Sequence, residues 1–206
     1  MEIPDKKEFL KGIEEFEKHE KRDAMYKVAT FLVSHFWGKP SDMTDGLGVL
    51  LLTWNQAFYR YGSFDFDRLE ECIAKHLKML EEFRNREITT LRKSDEPDIK
   101  KLFNDFMESL KVSYGKSEDR KSPVAVAKAL HLLAPHFFPL WDGRIAKAYG
   151  CYYGDRPADK YIKFMRLMKL FAEEVKNYVG LSNHQNKTLL KLIDEFNYSK
   201  YTQKWI

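Results

Sequence analysis

The chain has 206 residues, of which 44% are hydrophobic, and 35 Lys and Arg against 31 Asp and Glu give a formal net charge of +4. This composition fits one globular domain or two small ones and excludes intrinsic disorder. No apolar run approaches the roughly 20 residues that cross a bilayer, and residues 1–8 have no apolar signal-peptide core. Two cysteines, Cys72 and Cys151, are too few for an iron–sulfur cluster or a disulfide framework. We therefore expect a cytoplasmic protein with no membrane partner.

The spacing of apolar residues is helical along nearly the whole chain. Capping residues, prolines and apolar stripes predict nine helices, which begin near residues 5, 22, 45, 65, 97, 122, 142, 157 and 182. The eighth of them is expected to end at Gly180, and Ser182 is expected to restart the chain as the last helix. The third and sixth helices are apolar on most sides, which indicates a central position in the fold.

No segment alternates apolar and polar residues as a half-buried strand does, so we predict no strand. The predicted fold is all-α, a compact orthogonal bundle of about nine helices. Residues 1–206 then form one helical domain, or two helical lobes that meet near the loops at 89–98 and 112–122. A cleft is expected near residues 112–144.

Several common chemistries are absent from the sequence. The glycines are scattered, and Gly115-Lys116-Ser117 lacks the upstream glycine of a phosphate-binding loop. The six histidines show no metal-ligand spacing, so no metal site is predicted. No Gly-x-Ser-x-Gly elbow indicates a serine hydrolase. No feature of the sequence indicates a cofactor.

The stretch from Ser122 to Gly150 is the most distinctive part of the chain. It comprises a buried helix, a turn bracketed by Pro135 and Pro139, and a second helix that Asp142 opens. An Asp at this position is either a helix cap that stabilises by about 1 kcal/mol or a carboxylate that faces a ligand in an adjacent groove. Basic residues accumulate nearby, and such an excess either binds phosphates or is a solvated loop.

Part of this stretch resembles a motif of the helix-hairpin-helix DNA glycosylases, in which an apolar pair and an Asp open a helix that continues with small, aliphatic and basic residues. The matching residues are Leu140-Trp141-Asp142-Gly143-Arg144-Ile145-Ala146-Lys147. The family's hairpin glycines are absent, since Asp119-Arg120-Lys121-Ser122-Pro123-Val124 stands in their place. The position that corresponds to the family's catalytic lysine is Val124, and Lys128 lies one helical turn further on.

The resemblance implies an all-α fold and cleavage of the N-glycosidic bond of a damaged or mismatched base that is flipped out of double-stranded DNA. It implies that Asp142 stabilises the developing charge on the sugar or activates water, and Lys128 is the candidate for a lyase role. The residues expected at the DNA backbone are Lys116, Lys121, Ser122, Arg144 and Lys147. The residues expected around the flipped base are Trp54, Asn55, Tyr59, Tyr114 and Trp141.

Two alternatives to an enzyme remain open from the sequence, a non-catalytic helical domain that binds nucleic acid and a protein-interaction domain. For each aromatic candidate the favoured interpretation is a core or interface residue, because a chain with this many aromatic residues must bury most of them. Asn55 needs a hydrogen-bond partner within its apolar helix. The enzyme hypothesis depends on Asp142 being open to solvent beside cationic side chains.

Overall fold

A computed structural model describes residues 3–178 and 187–206. Within these ranges the chain forms ten α-helices and one two-stranded antiparallel sheet, which confirms the all-α class. The helices are α1 (Lys6–His19), α2 (Ala24–His35), α3 (Pro40–Trp54), α4 (Gln56–Tyr59), α5 (Phe66–Arg84), α6 (Glu96–Ser109), α7 (Pro123–Leu133), α8 (Gly143–Ala148), α9 (Pro157–Val175) and α10 (Leu189–Asn197). The strands are β1 (Gly62–Ser63) and β2 (Tyr114–Gly115).

The predicted helix starts agree with the structure where a side chain caps the helix. Such a side chain accepts a hydrogen bond from a backbone N–H in the first turn and so satisfies one of the free donors there. The predicted starts with such a cap are at Asp5, Asp65, Ser122 and Asp142. Thr188 caps α10 in the same way, at a start that was not predicted. The predicted helix end at Gly180 and restart at Ser182 lie outside the described residues.

Two expectations about the middle of the chain were wrong. The third helix begins at Pro40 rather than near residue 45, because a proline fits the first turn of a helix, where its missing N–H is not needed. The strands were missed because each has only two residues, which is too short for an alternating pattern. They pair Gly62 with Gly115 and Ser63 with Tyr114.

Helix α7 is buried on nearly every side, as its sequence predicts, and it packs against α2, α3 and α6. The buried His131 connects it to two neighbours: the His131 Nε2 atom lies 3.0 Å from the Tyr26 hydroxyl on α2, and Nδ1 lies 2.7 Å from the carbonyl oxygen of Phe138. Burial lowers the pKa of His131 to about 3, so the ring is neutral. The buried apolar side chains of all these helices form one continuous cluster.

The last segment of the chain returns to the first helix. A π-helical turn, Tyr198–Gln203, follows α10, and the Ser199 hydroxyl donates to the Gly12 carbonyl oxygen at 2.8 Å. The Trp205 ring stacks on the His19 ring with 4.2 Å between centroids. Within the described part of the chain, no helix combines the length and apolar character needed to cross a membrane.

Candidate active site

A cleft of about 670 Å³ lies where the end of α1, the start of α2, the end of α3 and α10 meet. Three aromatic rings form part of its wall: Phe16 from α1, Trp54 from α3 and Tyr198 from the π-helical turn after α10. Its lining also includes the cationic residues Lys18, Lys21, Arg22 and Lys191 and the acidic residues Glu20, Asp23 and Asp194. No residue between 112 and 144 lines this cleft, so its position differs from the predicted one.

Lys128 lies behind the Trp54 wall of the cleft. Its ammonium donates to the Asn55 side-chain oxygen at 2.7 Å and to the Trp54 carbonyl oxygen at 3.2 Å, and it lies 4.3 Å from the Trp54 ring centroid. Burial lowers the pKa of Lys128 to about 8, and the nearby Asp194 and Asp142 carboxylates oppose this decrease. An amine with this pKa is about one-tenth neutral at pH 7, far more than an ordinary lysine.

Three of the sequence candidates therefore meet in one place. Trp54 and Asn55 end α3, Lys128 lies on the facing side of α7, and Asn55 obtains the hydrogen-bond partner that its apolar surroundings require. The Asn55 side-chain nitrogen is buried without a partner. The Asn55 side chain therefore has a hydrogen-bond partner for its amide oxygen but none for its amide N–H₂ group.

Asp142 is half-buried at the start of α8, and both of its oxygens have donors from within the chain. The backbone N–H of Ile145 donates to Oδ1 at 2.7 Å, and the Thr202 hydroxyl donates to Oδ2 at 2.7 Å. Asp142 acts electrostatically on Lys128 and on the Asp194 carboxyl group. Asp142 does not line the cleft, and its oxygens are engaged within the chain, so it does not face the open cationic groove expected from the sequence.

Asp194 belongs to a buried group of charges that we call the ion cluster, which comprises Asp23, Lys187, Lys191, Asp194 and Glu195. Lys191, which is 1% exposed, lies 3.0 Å from Asp23, 3.5 Å from Glu195 and 3.9 Å from Asp194. Lys187 lies 2.9 Å from Glu195. With three carboxyl groups for two amines, the cluster has one carboxyl group in excess. Burial raises the pKa of Asp194 to about 7, so this excess carboxyl group holds a proton under mildly acidic conditions.

Three of the expected base-pocket aromatics do not reach the cleft. Trp141 is 1% exposed and packs among the core rings of Phe103, Tyr161 and Phe164. Tyr59 is also buried and donates its hydroxyl to the Leu110 carbonyl oxygen at 2.8 Å. Tyr114 is exposed on β2. Neither buried ring offers a free face to a flipped base.

The basic residues expected at a DNA backbone lie on several surfaces. Lys121 forms an ion pair with Glu108, and Arg144 donates to the Thr202 carbonyl oxygen. Lys147 is exposed and lies 4.9 Å from the Tyr152 ring centroid, and Lys116 is exposed in the turn after β2. Ser122 is buried, and its hydroxyl caps α7. The structure therefore does not gather these five residues around the cleft.

Sequence reasoning missed the ion cluster, although α10 carries a visible signal. Lys191, Asp194 and Glu195 interrupt an apolar stripe that contains Leu190, Ile193 and Phe196. Charged residues inside such a stripe are either paired in the interior or placed at a site. In residues 3–178 and 187–206, no group of three or more His, Cys, Asp or Glu side chains is arranged to hold a metal ion.

Comparison of the chain with models of protein families, with curated proteins and with solved structures gives no match.

Proposed function

We propose that the cleft receives a nucleoside flipped out of double-stranded DNA and that the protein cleaves its N-glycosidic bond. The observation that carries this proposal is Lys128, an amine with a pKa near 8 that contacts Trp54 in the cleft wall and interacts electrostatically with two carboxyl groups. A structural lysine forms ion pairs at the surface, whereas a nucleophilic lysine needs a lowered pKa.

The chemistry assigned to Lys128 is attack on C1′ of the sugar. Because Lys128 lies behind Trp54 and does not line the cleft, this chemistry requires the Trp54 side chain to turn aside so that C1′ reaches Nζ. The lone pair of neutral Nζ forms a bond to C1′ as the bond from C1′ to the base nitrogen breaks, and the base leaves with the electron pair and takes up a proton. Nζ then loses one proton to solvent, and a second proton passes from Nζ to the ring oxygen O4′ as the C1′–O4′ bond breaks, which gives an imine between Lys128 and C1′. Hydrolysis of this imine returns the free amine.

The carboxyl groups beside the amine complete the proposed chemistry. Asp142 lies outside the cleft lining and is held by its two donors, so in the proposal its negative charge acts at a distance, on Lys128 and on the positive charge that develops on the sugar. Asp194 lines the cleft and has a pKa near 7, so it can give a proton to the leaving base and take it back from water. Trp54 provides the ring against which a base stacks.

Binding of DNA rests on the cationic residues at the mouth of the cleft. Lys21 and Arg22 are exposed there and form no ion pair with the described residues, so they are available to phosphate groups. A DNA substrate agrees with the cytoplasmic location expected from the sequence.

Trapping with borohydride tests the proposal directly. We expect duplexes that each contain one damaged or mismatched base to lose that base, and borohydride to reduce the imine to a stable protein–DNA adduct. Lys128→Gln should remove the adduct, whereas Lys78→Gln, at an exposed lysine on α5, should not. If Lys128→Gln retains both base release and the adduct, Lys128 is not the nucleophile and the proposal fails.

The occupied oxygens of Asp142 favour a second candidate, a non-catalytic helical domain that binds nucleic acid, because a carboxylate engaged by two internal donors serves as a structural cap. In that case duplex DNA binds with an affinity that falls steeply as salt rises, and no base is released. Base release by the wild-type protein distinguishes the two, and Asp142→Asn then tests the role of the carboxylate. This substitution should lower base release by at least about a hundredfold for the enzyme and leave binding of undamaged DNA unchanged for either candidate.

A further inference from the structure

An apolar surface on α2 and α3 has no partner within the described chain. Met25, Val28 and Phe31 on α2 are 52%, 56% and 64% exposed, and Val49 on α3 is 60% exposed. They are half of the eight large hydrophobic residues that are exposed in the described ranges. We call this surface the α2–α3 face. A cluster of this kind on a monomer marks an interaction site, whereas single exposed apolar residues are ordinary.

The α2–α3 face contains a groove between the two helices. The groove has a volume of about 280 Å³ and is lined by Met25, Val28, Leu32, Gly46, Val49 and Thr53, with Ala24, Ala29 and Leu50. Gly46 lets the helices approach closely, since a Cβ there would lie 3.0 Å from the Leu32 Cβ. The groove is therefore a fixed feature of a tight helix pair and offers depressions for side chains from outside.

We propose that the α2–α3 face binds the same face of a second copy of this chain, with the two α2 helices antiparallel across a two-fold axis. In such a dimer both copies use the same surface, so every contact between two residues occurs twice, once in each direction. The face must therefore complement itself in shape and charge. Val28 and Val49 are exposed and border the groove, so each copy presents to the other both apolar side chains and the depression that they line.

Charges of opposite sign flank the two ends of the α2–α3 face, and the antiparallel arrangement brings them together. Arg22 lies just before α2, at one end of the face, and is exposed. Asp42 and Asp45 lie in the first part of α3, which is antiparallel to α2, and so flank the opposite end. Neither Arg22 nor these two aspartates form an ion pair with any residue in the described ranges.

Helix dimensions allow the opposite charges to meet. Ala24, the first residue of α2, is four residues from Val28, which is about 6 Å along the helix axis at 1.5 Å per residue, and Arg22 lies just beyond it. Asp42 is seven residues from Val49, which is about 10.5 Å along α3. With the two-fold axis near Val28 and Val49, Arg22 of each copy lies opposite Asp42 of the other. A parallel arrangement would instead place like charges at each end.

The oligomeric state of the full chain, measured by light scattering after gel filtration and by sedimentation velocity, tests the proposal. We expect reversible dimerisation with a dissociation constant on the order of micromolar, because the face is small. Val28→Glu should weaken dimerisation at least about tenfold, since it places a carboxylate in the apolar contact. Leu170→Glu is the matched control, because Leu170 is 51% exposed on α9, outside the face, and this variant should dimerise like the wild type.

Charge reversal tests the antiparallel arrangement. Arg22→Glu and Asp42→Arg should each weaken dimerisation, because each creates two repulsive contacts. An equimolar mixture of the two variants should dimerise like the wild type, since both contacts between unlike copies are then attractive.

Three outcomes would overturn the proposal. The first is a wild-type chain that stays monomeric up to about 300 μM, well above the expected range. The second is a mixture of the two charge variants that dimerises as weakly as either variant alone. The third is a Val28→Glu variant that dimerises like the wild type but no longer binds lipid vesicles. The last result would assign the face to a membrane surface. Arg22 also lines the cleft, so base release is compared with that of Val28→Glu, a substitution outside the cleft lining. A monomeric Val28→Glu variant that releases base like the wild type separates the dimer from the proposed enzyme function.

Discussion

Replacing Lys128 with methionine should make the protein more stable at neutral pH while it abolishes the proposed activity. The pKa of Lys128 is about 8 in the folded protein, against an ordinary value of 10.5. The difference of 2.5 units corresponds to about 3 kcal/mol at 1.36 kcal/mol per unit, which is the cost of keeping the buried amine protonated. Methionine has a similar length and carries no charge, so this cost disappears.

The gain is reduced by the hydrogen bonds that the amine makes. Methionine leaves the Asn55 side-chain oxygen and the Trp54 carbonyl oxygen without a donor, which costs about 1–2 kcal/mol in total. The net effect at pH 7 is a gain of about 1–2 kcal/mol in the free energy of unfolding. A stabilising substitution at a candidate catalytic residue is typical of sites that trade stability for function.

The pH dependence gives a sharper test than the stability itself. Between pH 8 and 10.5 the unfolded chain holds a proton on Lys128 that the folded chain has lost, so the stability of the wild type rises with pH in this window. Lys128→Met lacks this rise, and its advantage should vanish and reverse near pH 10. Urea unfolding at pH 7 and pH 10 measures both values, with Lys78→Met as the exposed control. Equal pH slopes for wild type and Lys128→Met would refute the reasoning.

Three further substitutions test the surroundings of the site. Asp194→Asn should reduce the loss of stability that the wild type shows as the pH rises from about 4 to 7, because in this range the folded protein holds a proton on Asp194 that the unfolded chain has lost. Melting temperatures at pH 5 and pH 8 measure this loss, and the same difference between the two temperatures in variant and wild type would argue against a raised Asp194 pKa. Lys191→Met should lower the free energy of unfolding by about 3–5 kcal/mol in urea titrations, because it leaves buried carboxylates without a positive partner. An unchanged free energy of unfolding would mean that the ion cluster is hydrated. Gly48→Ala should cost about 1–3 kcal/mol in the same assay, since the new Cβ would collide with the Phe66 ring, whereas Gly154→Ala has ordinary space and should cost little.

The fold class could be predicted because its signals are local. Apolar residues at helical spacing identified the helices, and side-chain caps such as Asp65 and Ser122 identified where they begin. The start of α3 was misplaced because the stretch after Pro40 opens with polar residues, although its apolar face begins at Met43. The paired strands depend on contacts between residues about fifty positions apart, which no local pattern records.

The candidate site was only partly predictable, for a similar reason. Asp142, Lys128, Trp54 and Asn55 were singled out one by one, and the structure brings the last three into contact. Their assembly depends on how α3 packs against α7, and spacing along the sequence does not contain that information. Trp141 has the same residue type as Trp54 but lies in the core, because the turn before α8 directs its ring inwards. Residue type alone does not separate a ring that lines a cleft from one that fills the interior.

The hydrogen-bond chain through His131 has a fixed polarity. A neutral imidazole carries one proton, and the Phe138 carbonyl oxygen beside Nδ1 can only accept, so the proton resides on Nδ1 and the Tyr26 hydroxyl must donate to Nε2. Reversing this direction would require a second proton on the ring, which a pKa near 3 forbids at neutral pH. His131 lies on the same helix as Lys128, but its ring only accepts a hydrogen bond from Tyr26 on α2 and only donates one to Phe138 in the turn before α8. It is therefore unable to shuttle protons to or from the chemistry proposed beside it.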